Sequence, residues 1–388
     1  MMYRLHIRAL LMCIILVGII SYLGYPAHLT IAAATTHPEP THTLALAVPD
    51  SEYPLFWFTP KLPLKYVPTR ISSVAFDPSH PGVALAASGN SDEGLLRTTN
   101  SGVTWTVLSA PNPSDTRFSY HVIYGEQPET FYAWGGNLLY KTTNSGASWT
   151  KLPYGPWCEI AILIVHPTKP NILYVGTTYS FAWSFDGGQT WGQNGMGCTD
   201  LPVPYTIDVG IDQPDVVYAG QLGYGGGVFR SADRGKTWSI VNNGLPYVTD
   251  IGGAVAGVKK IVVDPRNADI VFALTEHDGV YKTTNGGGVW ALLDKGVEGL
   301  PLRWLVLDPQ TYTLYSASDN YIYFLPDGAQ QWQKRLSDPI PQPASFPEAP
   351  MFSISPANKN NIIVYNSNGI FVGLPARGRI FIPTTLQP

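Results

Sequence analysis

Ser231-Ala-Asp233-Arg-Gly235-Lys-Thr237-Trp238 decides the fold, because its order of hydroxyl, acid, glycine, hydroxyl and tryptophan returns along most of the chain. The other copies run from Thr98 to Trp105 (with Asn100 and Gly102), Thr142 to Trp149 (Asn144, Gly146), Ser184 to Trp191 (Asp186, Gly188) and Thr283 to Trp290 (Asn285, Gly287). A worn copy from Asp327 to Trp332 keeps only the acid and the tryptophan. The six tryptophans fall at 105, 149, 191, 238, 290 and 332, a spacing of 42 to 52 residues, the length of one four-stranded propeller blade.

Each copy reads as a hairpin turn that satisfies itself. The Asp or Asn accepts from nearby backbone N–H groups, and the glycine two residues later takes the positive φ of the turn. The flanking Ser or Thr hydroxyls bond locally, and the tryptophan supplies a large apolar body. The residues of the motif are therefore expected to be structural.

A second motif keeps step with the first. An apolar strand ends in a prolyl turn at Asp77-Pro78, Gln127-Pro128, His166-Pro167, Gln213-Pro214, Asp264-Pro265, Asp308-Pro309 and Ser355-Pro356, and a short second strand follows each. Seven first strands against six boxes leave the last blade short of its outer strand. Residues 57–62, beginning Trp57-Phe-Thr-Pro60, have the texture of the strand after each box, and so does the C-terminal stretch from Arg379 to Pro383. Closing the ring removes unpaired edges, and the N-terminal stretch is the expected closure.

The repeated pattern resembles the Asp-box, or bacterial neuraminidase repeat. Families that carry it include sialidases, sortilin-type receptors, xyloglucan-degrading hydrolases and the photosystem II assembly factor. The resemblance implies an all-β, single seven-bladed β-propeller with a box between the third and fourth strands of each blade. It also implies that ligands bind on the opposite face. Functions differ widely across these families, so the resemblance carries architecture and little chemistry.

Outside the repeats, Arg4 and Arg8 precede an apolar run from Ala9 to Leu23, and Ala32-Ala-Ala34 offers small residues for a signal peptidase. Residues 1–34 are therefore expected to be a signal peptide or a membrane anchor, and the domain to be extracytoplasmic. Residues 35–51, rich in Thr, Pro, His and Ala, read as a flexible linker, and residues 52–388 as the propeller. Composition agrees: 12% of the 388 residues are aromatic and 13% charged, against roughly 25% charged in an average soluble protein. The net charge of −4, without a Lys/Arg run, gives no sign of nucleic-acid binding, and contact with a membrane is expected only through the N-terminal segment. Without Cys-x-x-Cys or His-Glu-x-x-His, no metal and no cofactor is expected. Cys158 and Cys198, on neighbouring loops of an exported protein, are expected to pair.

The loop face collects the long connections, 112–120, 154–159, 193–205, 242–257, 294–304 and 337–350. Arg70, Arg117 and Arg303 precede first strands and suit an anionic ligand. Tyr120, Trp157, Glu159, Tyr205, Tyr247 and Trp304 accompany them. These nine are the expected ligand-binding residues, for a protein or carbohydrate partner on a monomeric, non-catalytic scaffold. The alternative is a glycoside hydrolase drawing an acid and a base from Asp92, Glu93, Asp115, Glu159, Asp200, Asp250, Glu276, Asp278 and Glu298. Arg70-Ile71-Ser72 keeps part of the Arg-Ile-Pro of sialidases but lacks the proline, and the rest of the sialidase set has no counterpart.

Overall fold

The computed structural model describes residues 55–63, 70–80, 82–88, 94–111, 120–153, 158–177, 180–194, 204–210, 212–223, 226–248, 254–276, 279–335, 339–340, 351–355, 358–366 and 369–375. All of them lie in one compact unit, Tyr53–Pro388. They form seven four-stranded antiparallel sheets, the blades of a propeller, and one two-stranded hairpin. No helix among them is long and apolar enough to cross a membrane.

After β1 (Leu55–Phe58), blade 1 is β2 (Ile71–Phe76), β3 (Ala84–Ser88), β4 (Leu95–Thr98) and β5 (Thr106–Leu108). Blade 2 is β6 (His121–Tyr124), β7 (Phe131–Gly135), β8 (Leu138–Thr142) and β9 (Thr150–Lys151). Blade 3 is β10 (Ile160–Val165), β11 (Leu173–Thr177), β12 (Phe181–Ser184) and β13 (Gly192–Asn194). Blade 4 is β14 (Pro204–Val209), β15 (Val217–Gln221), β16 (Gly227–Ser231) and β17 (Ser239–Ile240). The hairpin of β18 (Tyr247–Val248) and β19 (Ala254–Val255) leads into blade 5, which is β20 (Val258–Asp264), β21 (Asn267–Thr275), β22 (Val280–Thr283) and β23 (Ala291–Leu292). Blade 6 is β24 (Trp304–Leu307), β25 (Leu314–Ala317), β26 (Ile322–Leu325) and β27 (Gln333–Lys334). Blade 7 is β28 (Met351–Ser355), β29 (Asn358–Asn366) and β30 (Gly369–Pro375), completed by β1.

The ring closes with the N-terminal strand, whose residues Leu55 to Phe58 pair with Pro375 to Val372. The strand lies two residues earlier than the sequence texture places it. Pro60 has no N–H to give a ladder and restricts Thr59 before it, so pairing stops at Phe58. Trp57 stands within the strand and packs against the core cluster that includes Tyr315, Phe352 and Phe371, whereas the box tryptophans stand just before their strands. The C-terminal stretch 379–383 lies outside the described residues.

The turns behave as their chemistry requires. In blade 1, Asn100 Oδ1 accepts from Thr98 Oγ1 at 3.0 Å and from Thr104 N at 2.9 Å, and the Gly102 N–H donates to Thr98 Oγ1. Asn144, Asp186, Asp233 and Asn285 repeat that network in blades 2 to 5. An acid and an amide serve equally because the partner hydroxyl reverses: Thr104 Oγ1 accepts from the Asn100 amide, whereas Thr237 Oγ1 donates to the Asp233 carboxylate. The worn box in blade 6 uses its acid differently, since Asp327 takes two bonds from Arg266 of blade 5, whose guanidinium also grips Asp264 and lies 3.8 Å from the Tyr312 ring centroid.

The glycine two residues after the acid faces the preceding blade. A Cβ there would meet Ile363 and Val372 at Gly102, Leu108 at Gly146, Leu152 at Gly188, Phe181 at Gly235 and Val241 at Gly287. The tryptophans close the same seams. Trp105, Trp191 and Trp238 donate their indole N–H to the box glycine's carbonyl, while Trp290 and Trp332 reach Val241 and Leu293 of the blade before.

Candidate functional site

Box turns and prolyl turns share one face, because the residue after the box acid or amide donates its N–H to the first-to-second-strand turn of the same blade or, in blade 5, to the start of the second strand. Ser101 bonds Gly82, Ser145 bonds Glu129, Gly187 bonds Asn171, Arg234 bonds Asp215 and Gly286 bonds Asp269. The second-to-third-strand turns and the blade-to-blade connections therefore make the other face, and the first strands descend from it along the central channel. First strands of consecutive blades are neighbours round the ring, with β28 next to β2.

At the mouth of that channel, four first strands carry a bulge after their opening residue: between Ile71 and Ser73, Ile160 and Ile162, Pro204 and Thr206, and Val258 and Lys260. A bulge leaves one residue out of the ladder and re-aims its side chain. The residues so displaced are Ser72, Ala161, Tyr205 and Lys259. Tyr205 is 53% exposed, and Tyr247 on the β18–β19 hairpin is 66% exposed. Nothing in the linear pattern of apolar residues announces the bulges, which is why Lys259 escaped the sequence reading.

Arg303 stands immediately before β24 with its Nε donating to Asp319 Oδ1 at 3.0 Å, and Asp319 belongs to the second-to-third-strand turn of the same blade. Both side chains are 36% exposed, so the carboxylate orients the guanidinium without covering it. Lys259 donates its ammonium to the Glu276 carbonyl at 2.8 Å; burial first, and then the charge of Arg303, lower its pKa. Lys260 projects between neighbouring first strands, its Nζ 5.5 Å from the Trp304 ring centroid. Burial lowers its pKa, and the Asp208 carboxylate on β14 partly restores it.

Across the mouth, Arg70 is exposed before β2, and His121 at the head of β6 stacks on Trp134 with ring centroids 5.3 Å apart. Burial, then the Arg70 charge, push the imidazole down to about 4. His121 is thus neutral at pH 7, and Arg70 is a cation of that side.

The remaining expected residues divide. Tyr120 is buried, with its ring edge-on to Tyr140, so it belongs to the packing between blades 1 and 2 and presents no surface to a ligand. Trp304 is half-buried and donates its indole N–H to the Phe352 carbonyl, so it closes a seam and offers only part of its ring to the channel. Glu159 is exposed beside the buried Cys158. Arg117, Trp157 and Cys198 lie outside the described residues, as do Asp92, Glu93, Asp115, Asp200, Asp250 and Asp278.

Channel-wall polar groups are largely engaged in holding blades together. An innermost strand has one edge without a ladder partner, and side chains of the preceding blade supply the acceptors. Ser73 accepts from Val122 N, Thr206 from Ile261 N, and Asp208 from Val263 N as well as from Val209 N. Burial raises the pKa of Asp208 despite those bonds. Glu126, which burial pushes up to about 7, lies in the prolyl turn of blade 2 on the box face. Among the described residues no group of three or more His, Cys, Asp and Glu side chains could hold a metal ion.

No family model matches the chain. A xyloglucanase of Hypocrea jecorina is 30% identical over 141 residues, 32% of this chain and 16% of that enzyme. An oligoxyloglucan-reducing end-specific xyloglucanase of Emericella nidulans is 24% identical over 194 residues, 46% of this chain and 24% of that enzyme. The chain thus matches about a quarter or less of the length of these enzymes. Among solved structures, YCF48 bound to D1 peptide is similar with a TM-score of 0.58 at 14% identity, covering 86% of this chain and 97% of that one. The Niastella koreensis GH74 enzyme gives 0.58 at 15% identity over 78% of this chain and 52% of that one. The extracellular domain of BT4673 from B. thetaiotaomicron gives 0.56 at 13% identity over 81% of this chain and 39% of that one. The shared property is the propeller fold.

Proposed function

We propose that this chain is a non-catalytic propeller that binds a protein or glycan ligand on its loop face, outside the cytoplasmic membrane. The observation that carries the reading is the set of half-exposed cations and exposed tyrosines at the channel mouth: Arg303 held by Asp319, Arg70, Tyr205 and Tyr247. Arginine and aromatic side chains on a rigid scaffold are what binding hot spots are made of. A peptide-bound structural neighbour and two partially matching xyloglucanases support the two ligand classes. The extracytoplasmic placement rests on the leader-like sequence of residues 1–34 and is tested by the N-terminal sequence of the mature protein.

The partial match to xyloglucanases favours a second reading, glycoside hydrolysis. It requires two carboxylates at roughly 5 to 9.5 Å across the scissile bond. Among the described residues, the acids most buried, Asp208 and Glu126, are respectively bonded to two backbone N–H groups and located on the box face. The deciding experiment incubates the purified protein with xyloglucan oligosaccharides and with a peptide library, measuring bound ligand and released reducing ends. Saturable binding without new reducing ends is expected. Catalytic release of reducing ends, abolished by changing one carboxylate, overturns the scaffold reading.

A further inference from the structure

We infer that the blade 5 and blade 6 side of the channel mouth is a carboxylate subsite, and that the ligand it takes is a uronate-bearing polysaccharide. The inference rests on the binding function proposed above and narrows it to one chemistry. Three cations from two adjacent first strands converge there. Lys259 and Lys260 are consecutive on β20, and Arg303 heads β24. Lys259 and Arg303 are each held to the second-to-third-strand turn of their own blade, at Glu276 and Asp319, and Lys260 Nζ lies 5.5 Å from the ring centroid of Trp304, the residue after Arg303.

Their protein partners leave donors unused. Arg303 gives Nε to Asp319, while neither of its terminal nitrogens donates to a described residue. Lys259 gives one of its three N–H groups to the Glu276 carbonyl. Lys260 donates to no described side chain or carbonyl, and the carboxylate that acts on it, Asp208, already accepts from two backbone N–H groups and forms no ion pair with it. A guanidinium fork and a half-buried ammonium with open donors are complementary to a carboxylate, whose negative charge offsets their mutual repulsion.

The partner class follows from what surrounds the cations. Asp319, Glu276 and Asp208 stand at the edges of the subsite, so a densely anionic peptide or a nucleic-acid backbone would meet repulsion at each step. A pyranose chain carries one carboxylate per acidic residue and presents apolar C–H faces between them. The exposed Tyr205 on the bulge of the neighbouring blade is a flat apolar surface of that kind, and Trp304 beside Lys260 adds the part of its ring that it leaves open. Spaced single charges with stacking surfaces between them describe an acidic polysaccharide.

The experiment uses the full chain with three probes: oligogalacturonate, a neutral xyloglucan oligosaccharide and a poly-glutamate peptide. Binding is followed by calorimetry for the wild type, Lys260→Met and Arg303→Gln. Lys260→Met also takes from the buried Asp208 its compensating cation, so a modest fall in melting temperature is expected; binding is therefore compared at a temperature where each variant is fully folded, and Arg303→Gln, whose partner Asp319 is part-exposed, reads the contact without that complication. Oligogalacturonate is expected to bind most tightly and to lose about tenfold or more in each variant, the scale of one charge-assisted hydrogen bond. Adding salt should weaken it, and Lys260→Arg should bind better than Lys260→Met. Equal affinity for the neutral and acidic glycans, unchanged in both variants, overturns the carboxylate subsite while leaving glycan binding intact. Preference for poly-glutamate overturns the polysaccharide. Failure of all three probes, together with failure of the wider ligand screen, removes the binding function itself.

Discussion

Gly235→Ala separates two reasons for a glycine in the repeated turn. Its φ of +84° places an alanine in the left-handed region, which costs about 1–2 kcal/mol. The added Cβ would also stand 2.1 Å from Phe181 Cε1 and 2.8 Å from its Cζ. Phe181 is buried in the seam between blades 3 and 4, stacked on Tyr174 and edge-on to Trp238 at 4.9 Å, so it has no free direction to retreat. Overpacking of that kind costs about 1–3 kcal/mol, giving a total of about 2–5 kcal/mol. The unfolding entropy of a unit this size is roughly 0.7 kcal/mol/K, so the melting temperature should fall by about 3–7 °C. Gly187→Ala is the control. It has a φ of +73° in the neighbouring box and only Asn171 Oδ1 at 3.5 Å, so the conformational cost alone remains, about 1–2 kcal/mol and about 1.5–3 °C. Calorimetric melting of both variants measures the difference. Equal losses would show that the seam yields at no cost and that the glycine serves the turn alone.

Three further outcomes are expected. A chain beginning at Thr69 lacks β1 and with it Trp57, a side chain whose loss costs about 3–5 kcal/mol; its melting temperature should drop by about 5 °C or more, and an unchanged value would mean that another strand completes blade 7. Hydrogen bonds from Thr190 and Ser184 lower the Asp186 carboxyl from 3.8 to about 2, so its contribution is complete above pH 3.8 and disappears as the pH falls through 2. Asp186→Asn, which recreates the amide form present at Asn100 and Asn144, should match the wild type at pH 7 and lose less stability between pH 4 and pH 2; a larger loss refutes the hydroxyl reversal. A Cys158–Cys198 bridge should leave no reactive thiol in the non-reduced exported domain and add about 3–4 kcal/mol, and quantitative alkylation of both residues without reductant would refute it.

The candidate site was legible in the sequence only in part. Arg303, Tyr205 and Tyr247 were legible because polar and aromatic residues gather in the long connections, and the structure leaves them half-exposed or exposed on the loop face. Tyr120 reads identically in sequence, yet it stands just before β6 with its ring packed against Tyr140 in the core. Lys259 and Lys260 stand in an apolar strand where neither periodicity nor composition marks them. Their position depends on a bulge and on the two neighbouring blades.

What the sequence by itself determined is local: the turn chemistry, the blade length and the number of repeats, each of which depends on residues within a few positions of one another. The fourth position of the box shows the limit. Ser101, Ser145 and Arg234 occupy it at φ of 59°, 50° and 64°, so positive φ alone does not force glycine in this turn. The next position does require glycine, because the preceding blade fills the space where a Cβ would be. Closure by β1, the channel-mouth bulges and the approach of Lys260 to Trp304 were likewise decided by tertiary structure. Each depends on which surface arrives from a blade some forty or more residues away, and no local pattern encodes that contact.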